Sequence, residues 1–345
     1  MAVNMYTAID SYVVYSEETV WGTGVTPGAG AFIDRVTGFD LTIKNNRQRH
    51  SNLGSCNAVV ATNGTVEVSG SITAQLTNPT FFQYLINGVQ VDNGGTQANP
   101  SDINEVNNIG YSETTCPTIS MQMGINQDDQ DDVLLIDGTT FTDWTLTAKV
   151  GEPMVWTANW RARNVTRGTT GQTYSGPTEE PFTFADGTLA VGSDTVVKVD
   201  SFELTGANNT NYQHALGSRL ISLPTNGSRR YDFTISVLHS YDSTASMLSG
   251  VEIRELLFGA AGSTTPETGG TPTEFGDMVL TLTEGTTSGD ESIIISLESC
   301  YLEEISEAIA AGDDGGAIMF SITGFALAGL TNGDNNTLIE FGTKA

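Results

Sequence analysis

The chain has 345 residues, with 14 basic against 41 acidic side chains and a formal net charge of −27. That length suits two cores of about 165 residues, each able to bury about 70% of its unfolded surface without staples, and the charge excludes an extended nucleic-acid-binding surface, which needs Lys and Arg to neutralise phosphates. Three widely spaced cysteines, Cys56, Cys116 and Cys300, exclude a disulfide framework or a zinc site and read as reduced thiols.

The opening residues carry Asp10 and no basic run, so they do not read as a signal peptide. No apolar stretch approaches the roughly 20 residues that span a membrane. The expectation is a soluble protein made in a cytoplasm, with no membrane partner. Gly, Thr, Ser and Asn abound and runs of helix formers are scarce, which favours strands and turns. Only Lys44, Lys149, Lys198 and Lys344 represent lysine; such acidity suits either a wall that repels DNA or a high-salt host.

An internal repeat organises the chain. Residues 32–88 align without a gap on 195–251, with fourteen identities over 57 positions, where about four would arise by chance. Phe39, Leu41 and Thr42 meet Phe202, Leu204 and Thr205, and Asn45-Asn46 meets Asn208-Asn209. Asn63-Gly64 meets Asn226-Gly227, a pair that reads as a type I′ hairpin turn. After the first such turn, Val66, Val68, Ile72, Ala74 and Leu76 alternate with Glu67, Ser69, Ser71, Thr73 and Gln75; after the second, Tyr231, Phe233, Ile235 and Val237 alternate with polar residues. Each is a half-buried antiparallel strand.

A short helix follows in each copy, started by Asn78-Pro79 and running through Leu85 in the first, and set by Ser243, Met247, Leu248, Val251, Ile253 and Leu256-Leu257 in the second. Residues 91–110 and 259–275 read as surface loops. Trp144, Leu146 and Ala148, a turn at Gly151-Glu152, and Met154, Trp156, Ala158, Trp160 and Ala162 make a late hairpin. In the second copy Ile293 to Tyr301 and Ile318, Phe320 and Ile322 correspond, and the Glu- and Ala-rich segment from Leu302 is open to a helical reading. Periodicity lapses over 166–180, which places two tandem domains at 1–172, with an N-terminal arm over 1–30, and 173–345.

Catalytic constellations are not evident. His50, His214 and His239 lack metal-ligand spacing, and neither a nucleophile elbow nor a phosphate-binding loop occurs. Gly22, Gly24 and Gly28 do not complete a dinucleotide fingerprint. The cluster Asp128-Asp129-Gln130-Asp131-Asp132 lacks the glycine and distal glutamate of a calcium loop and reads as a solvated acidic loop. The expectation is a non-enzyme with no cofactor and no metal.

Tyr12 to Thr23 contains Glu18-Thr19-Val20-Trp21-Gly22-Thr23, and Gly64 to Thr73 reads Gly-Thr-Val-Glu-Val-Ser-Gly-Ser-Ile-Thr. With Phe141 to Leu146, Gly151-Glu152-Pro153 and Cys300-Tyr301, these resemble the ordered motifs of the tail tube proteins of long-tailed phages and archaeal viruses. The resemblance implies an all-β chain of two antiparallel β-sandwich or barrel domains, each with a flanking helix. It implies homotrimeric, pseudo-hexameric rings stacked into a hollow conduit for DNA ejection, with terminator, tip and tape measure proteins as partners. DNA would pass through without specific binding, and the site of action would be the virion tail, assembled in the host cytoplasm. A virion adhesin, receptor-binding or capsid-decoration protein of tandem sandwiches is the alternative. The segments 44–61 and 207–224 are candidate extensions toward neighbouring subunits. Arg47 and Arg49, replaced by Thr210 and Tyr212 in the second copy, are expected to meet carboxylates across an interface; His50, Arg229 and Arg230 are further interface candidates.

Overall fold

The computed structural model describes the chain apart from residues 1–10, 29–31, 52, 54–55, 58–59, 78, 92–100, 106–116, 125–132, 169–170, 172–179, 197, 240–246, 258–273, 284–290, 309–317, 328–336 and 344–345. Alternation becomes strand. In Val155–Ala162 the residues Trp156, Ala158, Trp160 and Ala162 are buried and those between face away from the core; Val66–Gln75 and Arg230–Leu238 divide in the same manner. Eight antiparallel strands form one sheet. Its order is Arg35–Asn45, Val66–Gln75, Val155–Ala162, Val133–Lys149, Val199–Ala207, Arg230–Leu238, Met319–Ala326 and Glu291–Ala308.

Two long strands carry the chain from this sheet into a second layer. The start of Val133–Lys149 pairs with Thr118–Gly124 and Asn164–Gly168, and Tyr12–Glu18 extends that layer. The start of Glu291–Ala308 pairs with Gly276–Thr283 and Thr337–Thr343, and Gly187–Val191 extends the layer there. Both strands carry a left-handed residue partway along, Gly138 at φ +66° and Ser299 at φ +48°. Serine resists that conformation because its Cβ crowds the backbone. Ser299→Gly is therefore expected to stabilise the protein by about 0.5–1 kcal/mol, read as a raised midpoint in urea denaturation.

The repeat persists in the hydrogen-bonded register. Val68 faces Ala162, and Tyr231, which occupies the aligned position, faces Ala326. The same β-bulge falls at Thr37 and at Asp200, and another at Thr142 and at Glu303. The core between the layers is aromatic in the first half: Phe81 stacks on Trp156 at 5.3 Å, and Trp144, Trp156 and Trp160 are fully buried. The antiparallel all-β architecture thus agrees with the sequence. One short parallel pair departs from it, Asp194–Val196 with Met247–Leu248.

Several local expectations need correction. None of Asn63, Gly64, Asn226 and Gly227 has a positive φ, so neither Asn-Gly pair is a type I′ turn. Each joins a separate hairpin to the main sheet. The glycine is needed for space, since a Cβ at Gly64 would fall on the carbonyl oxygen of Asn46 and one at Gly227 on that of Asn209. Leu302 to Ala308 is strand, not helix. In the second half Met247–Leu248 is strand and the helix is Gly250–Leu257. Ser101–Glu105, expected in a surface loop, pairs with Gly88–Val91 and with Thr337–Thr343 of the other half. The Asp128–Asp132 cluster and Cys116 lie outside the described residues.

Candidate assembly interface

The two halves of the chain meet strand to strand. Ser201 faces Lys149, Leu204 faces Leu146, Gly206 faces Trp144 and Ala207 faces Asp143. The hydroxyls of Thr145 and Thr205 are 3.3 Å apart. Asn208 closes the end of the seam. Its backbone N–H donates to the Thr142 carbonyl at 2.8 Å, and its amide Nδ2 donates to the carbonyls of Leu85 at 2.7 Å and Phe141 at 3.0 Å.

A hairpin arm, Asn211–His214 paired with Ile221–Thr225, then leaves the second half and lies on the first. Tyr212 sits under the Arg161 guanidinium at 5.2 Å, and its hydroxyl is 2.9 Å from that of Thr140. Burial pushes the Tyr212 phenol up to about 12, against weaker opposition from Thr140 and Arg161. At the arm's tip, Arg219 donates from Nε to the Gly64 carbonyl and from Nη2 to Asn45 Oδ1, both at 2.8 Å, and its own carbonyl accepts from Val66 N–H.

At the two ends of the eight-strand sheet, the counterparts of the two seam strands each lack a neighbour on one side among the described residues. Among the described residues, Arg35–Asn45 pairs on one side only, with Val66–Gln75, and the stretch from Tyr301 to Ala308 pairs on one side only, with Met319–Ala326. The consequence is visible in burial. Phe202, Leu204 and Gly206 are buried in the seam, whereas the aligned Phe39 and Leu41 are half-buried and Ile43 is 47% exposed. Open N–H and C=O rows are templates for another strand.

The outward face of this sheet is a field of hydroxyls. Thr42, Ser69, Ser71, Thr73, Thr145 and Thr157 point away from the core, with Thr205, Thr234, Ser236, Ser306, Ser321 and Thr323 continuing the pattern. Asp40, Glu67, Asp143, Glu203, Asp232 and Glu304 share the face with Lys44, Lys149, Arg161 and Arg230, so most of the −27 charge sits elsewhere.

Of the five candidate interface residues, Arg47, Arg49 and His50 lie in or beside an exposed hairpin, Gln48–His50 with Val60–Thr62. His50 Nε2 is 2.9 Å from the Thr62 hydroxyl. The Arg49 side chain has no partner among the described residues. The other two are engaged within the chain: Arg229 Nη2 donates to the Asn87 carbonyl at 2.8 Å across the seam between halves, and Arg230 pairs with Asp232 at 2.7 Å. Sequence reasoning missed Asn208, Tyr212, Arg161 and Arg219. The available signal was the replacement of Arg49 by Tyr212 at aligned positions of the two arms.

The N-terminal motif has a physical role of its own. Glu18 is 1% exposed, and its carboxylate accepts four hydrogen bonds. Ser120 Oγ and Gly138 N–H donate to Oε1, both at 2.7 Å; Thr118 Oγ1 at 3.0 Å and Gly22 N–H at 2.8 Å donate to Oε2. Gly22, at φ +68°, lies under the Arg163 side chain, which donates to the Gly22 carbonyl at 2.8 Å and covers Trp21 at 5.4 Å.

Asp137 is buried beside this site, and its carboxyl is pushed up to about 6, first by burial and then by the Glu18 charge, with Arg163 opposing. A folded-state value above the ordinary 3.8 means that the folded protein holds the proton more tightly. That stabilisation is fully present below pH 3.8 and is lost as pH rises through about 6. Asp137→Asn is expected to stabilise the protein at neutral pH, on the order of 2 kcal/mol, and to flatten stability between pH 4.5 and 7.5 in urea titrations.

A cavity of about 220 Å³ lies where Ala148, Met154, Phe202 and Leu280 converge, and Lys198 is the single charged residue in its lining. Among the described residues no three His, Cys, Asp or Glu side chains gather in a metal-binding cluster, and no helix is long and apolar enough to cross a membrane.

The phage tail tube protein family model matches residues 13–103 and 92–324. The two matched segments meet within 92–103, inside the first half and not at the junction of the repeats. A search of curated proteins found no match. Matched over most of its length, the chain belongs to the phage tail tube protein family.

Proposed function

We propose that this structural tail protein is the repeating unit of a closed ring, that three chains join head to tail, and that rings stack into a hollow conduit for DNA. The observation that supports this reading is the seam inside the chain. The strand that opens the second repeat already pairs with the long strand of the first, and the two sheet ends that pair on one side only among the described residues are the same two strand types. A heterologous contact of this kind generates a ring when its rotation closes.

Eight strands per chain set the scale. With about 4.8 Å between strands and a tilt of about 40°, each strand occupies about 6.3 Å of circumference. Three chains then make a 24-strand barrel about 48 Å across at the backbone, and a side-chain layer of about 5 Å on each wall leaves a bore of about 38 Å. Two chains would leave only about 22 Å, which a duplex would fill. In this reading the hydroxyl face lines the bore, and it offers DNA no array of cations to bind. The domains are 1–172 and 173–345, no catalytic step is involved, and the terminator, tip and tape measure proteins of the virion tail are the other partners. Assembly would take place in the host cytoplasm.

Negative-stain microscopy of purified protein tests this. Rings or tubes with three chains per turn are expected. Particles that remain compact monomers at high protein concentration would overturn the reading.

A further inference from the structure

The seam within the chain predicts the contact between chains only if the residues at the open edges can reproduce it. Transposing the register is direct, because both repeats share their bulges. Aligned positions differ by 163 along the Arg35–Asn45 and Val66–Gln75 strands and by 161 along the long strand, as the facing pairs Thr147–Val155 and Ala308–Met319 fix. The seam then sets Lys44 against Glu304, Ile43 against Ile305 and Thr42 against Ser306 of a second copy. Opposite charges, two β-branched apolar side chains and two hydroxyls meet as facing pairs, each a favourable cross-strand combination. Leu41 meets Glu307, whose carboxylate is already held by Arg254 at 3.1 Å.

We propose that the two kinds of junction are chemically keyed, so that first and second halves must alternate around the assembly; this rests on the ring reading above. Within the chain, Tyr212 of the arm lies against Arg161 and Thr140. The aligned arm residue is Arg49, and the aligned receiving residues on a second copy are Phe325 and Tyr301. Phe325 and Tyr301 face each other across two strands, with rings stacked at 5.6 Å, on the exposed side of the sheet. The pairing is inverted. In one junction an aromatic arm meets a cation, and in the other a cationic arm meets an aromatic pair. A first-half arm on a first-half sheet would bring Arg49 to Arg161, cation against cation. Specificity of this sort comes from the wrong pairing as much as from the right one.

The steric fit along the paired strands also differs between the two junctions. Gly206 faces Trp144 so closely that any Cβ would strike the indole. At the transposed position Ile43 faces Ile305. A first-half edge on a first-half seam would drive Ile43 into Trp144, and a second-half edge on a second-half seam would leave a gap between Gly206 and Ile305. The two halves also trade large for small at one aligned pair of facing positions. Gly70 faces Trp160 in the first, and at the aligned positions Phe233 faces Gly324.

Tube assembly by the full chain, followed by light scattering against protein concentration, tests the keying. Phe325→Arg alone and Arg49→Tyr alone are each expected to raise the concentration needed for assembly by about tenfold or more. The combined Arg49→Tyr/Phe325→Arg chain copies the internal Tyr212–Arg161 pair and is expected to return to near wild-type assembly, the non-additivity expected of residues in contact. Arg49→Glu is a further control: its site is exposed in the lone chain, so loss of assembly with an unchanged urea midpoint reports the contact and not the fold. Single variants that assemble as well as wild type, or a combined variant no better than the singles, would overturn the keying and leave the ring intact. Wild-type protein that forms no ring overturns the ring reading, and the keying falls with it.

Discussion

Glu18→Ala is expected to lower stability by about 3–5 kcal/mol, measured as the loss in urea unfolding free energy at neutral pH. The carboxylate is buried, and all four of its hydrogen-bond donors come from different points of the chain: Gly22, Thr118, Ser120 and Gly138. Two of them are backbone N–H groups, which cannot rotate toward another acceptor, and alanine would leave them buried and unpaired. Gly138 is the corner residue of the long Val133–Lys149 strand, so the loss falls where the first half bends from one layer into the other. Glu18→Gln should recover only part of the stability, because an amide offers one acceptor oxygen and places an NH2 group among donors. Removing the negative charge also relieves Asp137, whose carboxyl Glu18 helps to push up. The pH dependence assigned to Asp137 should therefore weaken in both variants, and a variant that loses stability with no change in that dependence would place the Glu18 effect elsewhere.

The sequence made parts of this arrangement legible and hid others for identifiable reasons. Strands buried on one face, such as Val66–Gln75 and Val155–Ala162, announce themselves by alternation because the core fixes which side is apolar. The final stretch of Glu291–Ala308 does not. Its Glu303, Glu304 and Glu307 lie on an edge with no further strand among the described residues, so their solubility resembles that of a helix surface. Ser101–Glu105 is too short for a period and finds its partner in Thr337–Thr343, more than 200 positions away, which local pattern cannot show. The Asn-Gly pairs do not form the expected turns because glycine serves two purposes. Here it clears room for a neighbouring carbonyl, and left-handed backbone is not required. The arginines of the first arm, Arg47 and Arg49, stand in or beside a hairpin that is exposed in the lone chain. Composition alone suggested carboxylate partners for them; the Arg49–Tyr212 exchange, read together with the Phe325–Arg161 exchange, is the ground for proposing aromatic rings instead.

Trp144→Ala is expected to cost about 3–5 kcal/mol, and its effect should reach both halves of the chain. Trp144 is 1% exposed at the seam, with Phe82 edge-on at 5.8 Å on its own side and Tyr231 of the other half at 6.3 Å. Gly206 lies directly against the indole from the facing strand. Truncation to alanine leaves a void bounded by strand backbone on one side, and backbone in the middle of a sheet collapses poorly into a cavity. Because the Val133–Lys149 and Val199–Ala207 strands share this contact, hydrogen-exchange protection should fall in both, with a smaller change in the distant Gly276–Thr283 strand. Enlarging Gly206 tests the opposite sign of the same fit. Gly206→Val would force the two strands apart at the indole and cost about 1–3 kcal/mol. Combining it with Trp144→Ala should cost less than the sum of the two, since each change makes room for the other. A strictly additive pair would show that the fit of Gly206 to the Trp144 indole contributes nothing to the union of the halves.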